Sequence, residues 1–337
     1  MTAAIGILGT GAYLPKQEVD NDEVAAMVPD VTPERIEHKT QIRSRRYAAP
    51  DEATSDLAAA AARLALADAG LAAEDVDYIL LATSTGDSPQ PPTSCRLQSL
   101  VGARRAACVD VNAVCAGFVY ALGMARALLA LQPGSTALVV GADIYSRILD
   151  YRDRSTAILF GDGAGAVVLG AVPAGRGIID IGLASRGEAM DLIRVEAGGS
   201  RIPPSVESVE SGGHYFRMQG RGVSEFVMAN VPPMIAALLE RNGATLADIR
   251  HFVPHQANGV LLTELVSRCG LDGARTHRTL AEYGNIGGAS VPVALDAAAR
   301  SGTLNDGDLV LLAGFGGGMS MGAGLLRWSA PVLEASR

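Results

Sequence analysis

A cysteine, a histidine and an asparagine, far apart along the chain, carry the chemistry this sequence can do. Cys115 lies in VDVNAVCAGFVYALGMARALLA, where an apolar strand-like run gives way to an alanine-rich helical pattern. That predicts a thiol in the first turn of a buried helix. Unpaired N–H groups and the positive end of the helix dipole there favour thiolate over thiol. A thiolate attacks acyl groups. His255 follows a short strand in VPHQAN, and Asn285 precedes a helix in YGNIGGAS. A neutral imidazole and a side-chain amide can together donate hydrogen bonds to an oxygen that gains negative charge. Each residue alone has a plainer reading. Cys115 could be a small core thiol, His255 a satisfied core histidine, and Asn285 a turn residue beside Gly284, Gly287 and Gly288.

Bringing the three together requires a fold that gathers strand ends and helix starts. The apolar runs supply one. Ala3 to Gly11, Val76 to Thr83, Ala107 to Val111 and Thr136 to Ala142 read as strands, and Ala157 to Leu169 leads into another. Thr54 to Gly70 and Gln90 to Val101 read as helices, the first closed by Gly70 and the second opened by Pro91 and Pro92. This βαβαβ alternation predicts a parallel sheet covered by helices. The second half repeats it. Gly177 to Leu183, Ile249 to Pro254 and Asp308 to Gly314 are strands; Val223 to Asn242 and Val291 to Ser301 are helices. Phe118 to Leu122 aligns with Val291 to Leu295, so the chain reads as a duplication with halves of roughly 160–170 residues. We divide it at residues 1–170, with the nucleophile and an insertion at 17–46, and 171–337, with the histidine and asparagine. Facing halves would direct all three residues to one central pocket, as strand carboxyl ends do in α/β folds. The Gly/Ser/Pro-rich stretch Gly198 to Gly213 reads as a surface loop.

The bulk composition narrows the classes. The 337 residues are 48% hydrophobic and 19% charged, enough for a large core. A net charge of −8 argues against a general nucleic-acid binder. The four cysteines (Cys95, Cys108, Cys115, Cys269) show no CxxC spacing and no Cys/His metal cluster, so reduced thiols in the cytoplasm are expected. No signal peptide is apparent, and no run reaches the apolar length of a membrane span, about 18 residues. GDGAGA lacks the Lys–Ser/Thr of a phosphate loop and reads as close packing. Arg43, Arg45 and Arg46 form a basic cluster that is a solvated face or meets phosphate.

Together the motifs are specific. TQIRSRR, CAGF, DRSTAILFGDGAGAVVLG, VPHQAN, GNIGGAS and FGGG occur in this order, and through them the chain resembles the β-ketoacyl-acyl-carrier-protein synthase III family of thiolase-like condensing enzymes. The resemblance implies a thiolase-like α/β fold, duplicated βαβαβ halves in a five-layer αβαβα arrangement. It implies an acyltransferase in which Cys115 takes an acyl starter and malonyl-acyl-carrier protein is condensed onto it with loss of CO₂. His255 and Asn285 would then hold the enolate oxygen. The N–H groups of Cys115 and Gly317 would form the oxyanion hole, and Phe315 would stand beside the nucleophile to assist decarboxylation. Asn258 and Gly220 would line a pantetheine tunnel, with Arg154 near the CoA phosphates.

The chain departs from the family pattern at four places. Arg35 stands where a tryptophan often stacks on adenine, Lys39 where arginine is common, and Val260 where another arginine faces phosphate. These changes weigh against CoA as the acyl donor. Gln90, at the place of an apolar or aromatic residue closing the acyl pocket, implies a polar starter, and Arg147 could pair with a carboxylate on it. The resemblance further implies a homodimer joined through the edge strand Ala106 to Val111, with no metal and no cofactor beyond CoA and phosphopantetheine thioesters as substrates. An acidic carrier protein would dock on Arg217, Arg221 and Arg268. Two other readings stand beside condensation. One is acyl transfer to an alcohol or amine without decarboxylation, which family members that lose the asparagine perform. The other is a non-catalytic subunit, which would lack the cysteine.

Overall fold

The computed structural model describes residues 4–329. Two five-stranded sheets dominate it. The first is built from β1 (Ala4–Tyr13), β2 (Tyr78–Ala82), β3 (Ala107–Val111), β4 (Ala137–Ile144) and β5 (Asp162–Val172), in the order β1-β5-β4-β2-β3. The second is built from β6 (Gly177–Ser185), β7 (His251–Pro254), β8 (Arg275–Thr276), β9 (Leu309–Gly316) and β10 (Ser320–Arg327), in the order β6-β10-β9-β7-β8. Each strand of the first sheet has its counterpart five places later in the second.

The alternation of side chains along the strands explains the layering. In β2, Ile79 and Leu81 point outward, towards helices α1 (Thr54–Ala69) and α2 (Thr93–Val101). Leu80 and Ala82 point inward, to α3 (Gly117–Leu131). In the second sheet Leu309, Leu311 and Ala313 face α4 (Gly220–Arg241) and α5 (Gly259–Arg268), while Val310 and Leu312 face α6 (Ser290–Arg300). Both faces of each sheet are covered, so the strands are apolar throughout. The result is five layers, with α3 and α6 shared between the two sheets.

The sheets are mixed where a parallel one was expected. β2 runs parallel to β3 and β4, but β5 is antiparallel to both β4 and β1. A parallel return needs a crossover, usually a helix. Residues 145–161 contain only a short turn of 3₁₀ helix, so the chain doubles back. β9 and β10 do the same through the turn Gly317–Met319.

Helix α2 begins at Thr93 and not at Gln90. Asp110, on β3, accepts hydrogen bonds from the Thr93 and Ser94 N–H groups at 2.7 and 2.8 Å, a cap delivered from a neighbouring strand. The segment Gly198 to Gly213 carries a short helix, Val206–Glu210. Contrary to expectation, two helical stretches, Val114–Leu131 and Gly220–Arg241, are long and apolar enough to cross a membrane. In the first, Phe118, Val119, Leu122 and Leu129 are buried between the sheets. The second lays Val223, Val227, Val231 and Ile235 on the second sheet.

The insertion is an antiparallel pair, Gln17–Asp20 with Ser44–Tyr47, enclosing two helices, Asn21–Met27 and Pro33–Thr40. The second of these reaches across the fold, where the Lys39 carbonyl accepts a hydrogen bond from Asn258 Nδ2 at 3.2 Å.

Candidate active site

Cys115 sits in a 3₁₀ turn, Val114–Ala116, and α3 starts just after it at Gly117. The thiol therefore stands two residues before the first residue of the α-helix instead of lying in its first turn. The turn is unusual in its backbone. Val114 has φ 48°, a conformation that a β-branched side chain rarely adopts. Gly316, at the end of β9, is pressed against this turn. A Cβ there would lie 2.8 Å from both the Cys115 Cβ and the Cys115 nitrogen. A Cβ at Gly317 would meet the Val114 side chain at 3.1 Å. The FGGG segment thus wraps the nucleophile turn.

His255 follows β7, and its N–H donates to the Ala313 carbonyl of β9 at 2.7 Å. Its ring stands edge-on to Phe315, with centroids 5.2 Å apart and planes at 79°. Phe315 precedes Gly316, so one strand end touches both the imidazole and the nucleophile turn. Burial with no compensating charge lowers the His255 pKa to about 3. The imidazole is neutral at physiological pH, the form that can donate one N–H and accept at the other nitrogen.

Asn285 is buried at the start of the turn that leads to α6. Its Oδ1 accepts from the Gly287 N–H at 3.0 Å and its Nδ2 donates to the Ala257 carbonyl, two residues after His255, at 3.4 Å. Its backbone is clamped between Leu159 and Gly161. The following turn, Gly287–Ala289, packs on the Cys115 turn: a Cβ at Gly288 would lie 3.4 Å from the Val114 carbonyl. The three residues named from sequence therefore stand on mutually contacting segments at the facing ends of β4, β7 and β9.

Beneath the cysteine lies a group that the sequence reading missed. Asp143, fully buried at the end of β4, accepts from the Thr83 and Thr85 hydroxyls at 3.2 and 2.8 Å, and from the Ser84 N–H at 2.9 Å. It also accepts from the Gly288 N–H of the other half at 2.7 Å. The Tyr145 hydroxyl lies 2.9 Å from Ser84 Oγ. Burial raises the Asp143 pKa, since the fully enclosed carboxylate loses water. The signal was present: Asp143 is the one charge in the apolar run TALVVGADIY.

Burial, reinforced by the Asp143 charge, pushes the Cys115 thiol up to about 12. Desolvation of the enclosed thiol thus opposes the expected activation by the helix start.

A cavity of about 460 Å³ leads in from the surface to Asn285. Gly220, Asn258, Arg154 and Lys39 all line it, as the sequence reading required, and so do Arg35 and Val260. Ile158, Leu159, Val223 and Leu261 give it apolar walls. Its mouth is cationic, with Arg35, Lys39 and Arg154 exposed around Glu264.

Other residues named from sequence stand apart from this cavity. Gln90 is exposed on the loop before α2 and does not line this cavity. Arg147 turns away from it: its guanidinium donates to the carbonyls of Ala49 and Glu52, holding that loop. None of the TQIRSRR arginines is free for phosphate. Arg43 pairs with Glu282, Arg46 with Glu18, and Arg45 is buried with its donors on Asn21 and the Ile158 carbonyl. Arg217 pairs with Asp150 and Arg221 with Glu225. Arg268 ends α5, one helix length from Asn258, about 15 Å at 1.5 Å per residue. Among the described residues no cluster of His, Cys, Asp and Glu could hold a metal ion.

Comparison with known proteins agrees with this geometry. Residues 109–187 match the family described as 3-oxoacyl-[acyl-carrier-protein] synthase III, and residues 239–328 match its C-terminal part. The chain is 51% identical to acetoacetyl CoA synthase NphT7 of Streptomyces sp. strain CL190, over 96% of this chain and 98% of that protein. It is 45% identical to the β-ketoacyl-[acyl-carrier-protein] synthase III of Rhodospirillum centenum, over 96% and 98%. The crystal structure of the priming β-ketosynthase of the R1128 polyketide pathway superposes with a TM-score of 0.90 at 36% identity, covering 98% of each chain. Sequence, fold and family match converge: this chain belongs to the 3-oxoacyl-[acyl-carrier-protein] synthase III family of thiolase-fold condensing enzymes.

Proposed function

We propose that the enzyme loads an acyl starter onto Cys115 and condenses it with malonyl-acyl-carrier protein, releasing CO₂ and a β-ketoacyl product. The observation that carries this reading is the packing of the Cys115, His255 and Asn285 segments on one another, with Asn285 and Ala257 lining a cavity that has apolar walls and a cationic mouth. Such a channel suits a phosphopantetheine arm, with Arg35, Lys39 and Arg154 receiving phosphates at its outer end.

The steps follow from the residue types. The Cys115 sulfur attacks the thioester carbonyl, and the carrier thiol leaves. The oxyanion that forms is held by the N–H groups of Cys115 and Gly317 on the two wrapped turns. Malonyl thioester then enters. Neutral His255 and Asn285 Nδ2 donate to the thioester oxygen as CO₂ departs, stabilising the enolate. The apolar edge of Phe315 keeps the neighbourhood dry, which favours loss of a charged carboxylate as neutral CO₂. The carbanion takes the acyl group from sulfur. The product serves fatty-acid initiation or the priming of a specialised pathway.

The 51% identical relative is named for acetoacetyl CoA, so an acceptor carried on CoA is a second reading. The mouth cations Arg35, Lys39 and Arg154 suit the phosphates of either carrier. Acyl transfer to an alcohol or amine is disfavoured because Asn285 is present and hydrogen-bonded in place.

The chain would act as a homodimer through β3, which is an edge strand and exposes Val109. Its unpaired thiols suit the cytoplasm. The test is release of labelled CO₂ from carboxyl-labelled malonyl-carrier protein and from malonyl-CoA, each with an acyl-CoA or acyl-carrier-protein starter. Release that requires starter and Cys115 supports condensation. Acylation without any CO₂ release from either carrier overturns it.

A further inference from the structure

A hydrogen bond to one ring nitrogen is the usual way to orient an imidazole. His255 lacks it: among the described residues its buried Nδ1 has no partner. The edge-on contact with Phe315 is packing, not a directed bond. Placement of the ring therefore falls on the backbone at residue 255.

That backbone is held by Gln256, whose side chain is fully buried. Its Nε2 donates to the Pro254 carbonyl at 2.7 Å and to the His277 carbonyl at 3.2 Å. Its Oε1 accepts from the Thr279 N–H at 3.1 Å. Two carbonyls on one side and an N–H on the other leave one orientation for the amide. The His255 N–H donates to the Ala313 carbonyl at 2.7 Å. The peptide unit joining Pro254 to His255 is thus pinned at both of its polar atoms.

The other end of Gln256 leads to Asn285. Thr279 precedes the short helix Leu280–Tyr283, and Gly284 closes that helix one residue before Asn285. The loop of contacts is completed where Asn285 Nδ2 donates to the Ala257 carbonyl at 3.4 Å. That bond is long and weak, and the same Nδ2 must also donate to substrate. It cannot by itself hold the two enolate donors apart at a fixed distance. The three bonds of Gln256 can. The residues that serve acylation stand on other segments, the Val114–Ala116 turn and the Gly317–Met319 turn.

We propose that Gln256 is the positioning residue that sets the separation of His255 and Asn285, so that it governs decarboxylation of the malonyl thioester and not acylation of Cys115. The proposal rests on the reading that these two side chains hold the enolate oxygen. Preorganised donors lose their effect when displaced from the position of the developing charge. A purely structural role is the alternative. Gln256 would then only anchor the edge strand β8 and the turn after it to β7, and its loss would weaken the fold and both half-reactions alike.

The two half-reactions are measured separately. Acylation of Cys115 by acetyl-CoA is followed by mass spectrometry. The loaded enzyme is then mixed with carboxyl-labelled malonyl thioester, on CoA and on carrier protein, and CO₂ release is timed. Gln256→Met keeps length and bulk and removes all three hydrogen bonds. Its saturating rate of CO₂ release is expected to fall about 10²-fold, the lower end of the range for one lost oxyanion donor. The acylation rate and the half-saturating malonyl concentration are expected to stay near wild type. Gln256→Glu keeps the acceptor for Thr279 and loses a donor, so the same selective fall is expected, smaller in size; it carries the test if Gln256→Met does not fold. In an Asn285→Ala background Gln256→Met should add little, because one of the two spaced donors is already gone. Equal losses in both half-reactions, wild-type CO₂ release in a folded variant, or a fully additive loss in the double variant overturns the proposal. Unimpaired CO₂ release in both His255→Ala and Asn285→Ala would instead defeat the reading on which it rests, and the proposal with it.

Discussion

Val114 and Gly287 adopt the same left-handed backbone at equivalent points of the two halves, with φ 48° and 57°. One precedes Cys115, the other precedes Gly288, whose N–H holds Asp143. The duplication thus reuses one sharp turn, once to present a nucleophile and once to seat a carboxylate. The two positions differ in what surrounds them. A Cβ at Gly287 would lie 2.4 Å from the Tyr145 ring and 2.5 Å from Asp143 Oδ2. Gly287→Ala therefore adds backbone strain, about 1–3 kcal/mol, to overpacking of about 1–3 kcal/mol. A thermal scan should show Tm lower by roughly 5–10 °C. A fall of under a degree would mean that the turn relaxes freely.

Gly316 is a different case. Its φ of −178° is open to any residue, so alanine meets no backbone objection. The obstacle is Cys115, 2.8 Å from the added Cβ. Gly316→Ala should keep the fold by circular dichroism while acylation drops about 10²-fold, the cost of displacing a reacting atom by about 1 Å. Near wild-type acylation would show that the FGGG turn does not position the nucleophile.

Thiol chemistry should report the burial of Cys115. Alkylation by iodoacetamide is expected to be slow at neutral pH and to climb steadily above pH 9, following a thiol raised to about 12. Asp143→Asn removes the neighbouring charge and should shift that profile to lower pH. A plateau below pH 8 in the wild type would mean that the helix start outweighs desolvation.

His255 adds a stability term with a definite sign. Its folded pKa of about 3 lies below the ordinary value of 6.5. Between those values the unfolded chain binds the proton and the folded chain does not, so this term weakens stability as pH falls below 6.5. Urea unfolding of His255→Gln should show a shallower loss between pH 6.5 and 4 than the wild type. Parallel slopes would place the ring in contact with water.

The mouth cations Arg35, Lys39 and Arg154 should act on binding and not on chemistry. Arg154→Glu is expected to raise KM for a CoA starter about three- to tenfold, with kcat little changed, and to lose most of that difference at high salt. Equal effects on a bare pantetheine thioester would assign Arg154 another task.

Much of this site was legible because the chemistry and the duplication are both written locally. Cys115, His255 and Asn285 each sit where an apolar run breaks, and the alignment of Phe118–Leu122 with Val291–Leu295 foretold that the breaks face each other. The mouth residues followed from family motifs. What escaped were properties set by partners distant in sequence. Arg147 and Arg45 looked available, but their guanidiniums are spent on backbone carbonyls and Asn21. The upward shift of the thiol follows from complete enclosure and from Asp143, neither visible in CAGF. The mixed sheets follow from the missing crossover helix at 145–161.

The central claim is that Cys115 carries the acyl group between two thioesters. Intact-protein mass spectrometry after mixing with an acyl-CoA or acyl-carrier-protein starter tests it directly, followed by a chase with malonyl thioester. The account requires a single acyl mass increment on the Cys115 peptide, absent in Cys115→Ala, that disappears in the chase as β-ketoacyl product forms. An increment on another residue, or one that survives the chase, would contradict it.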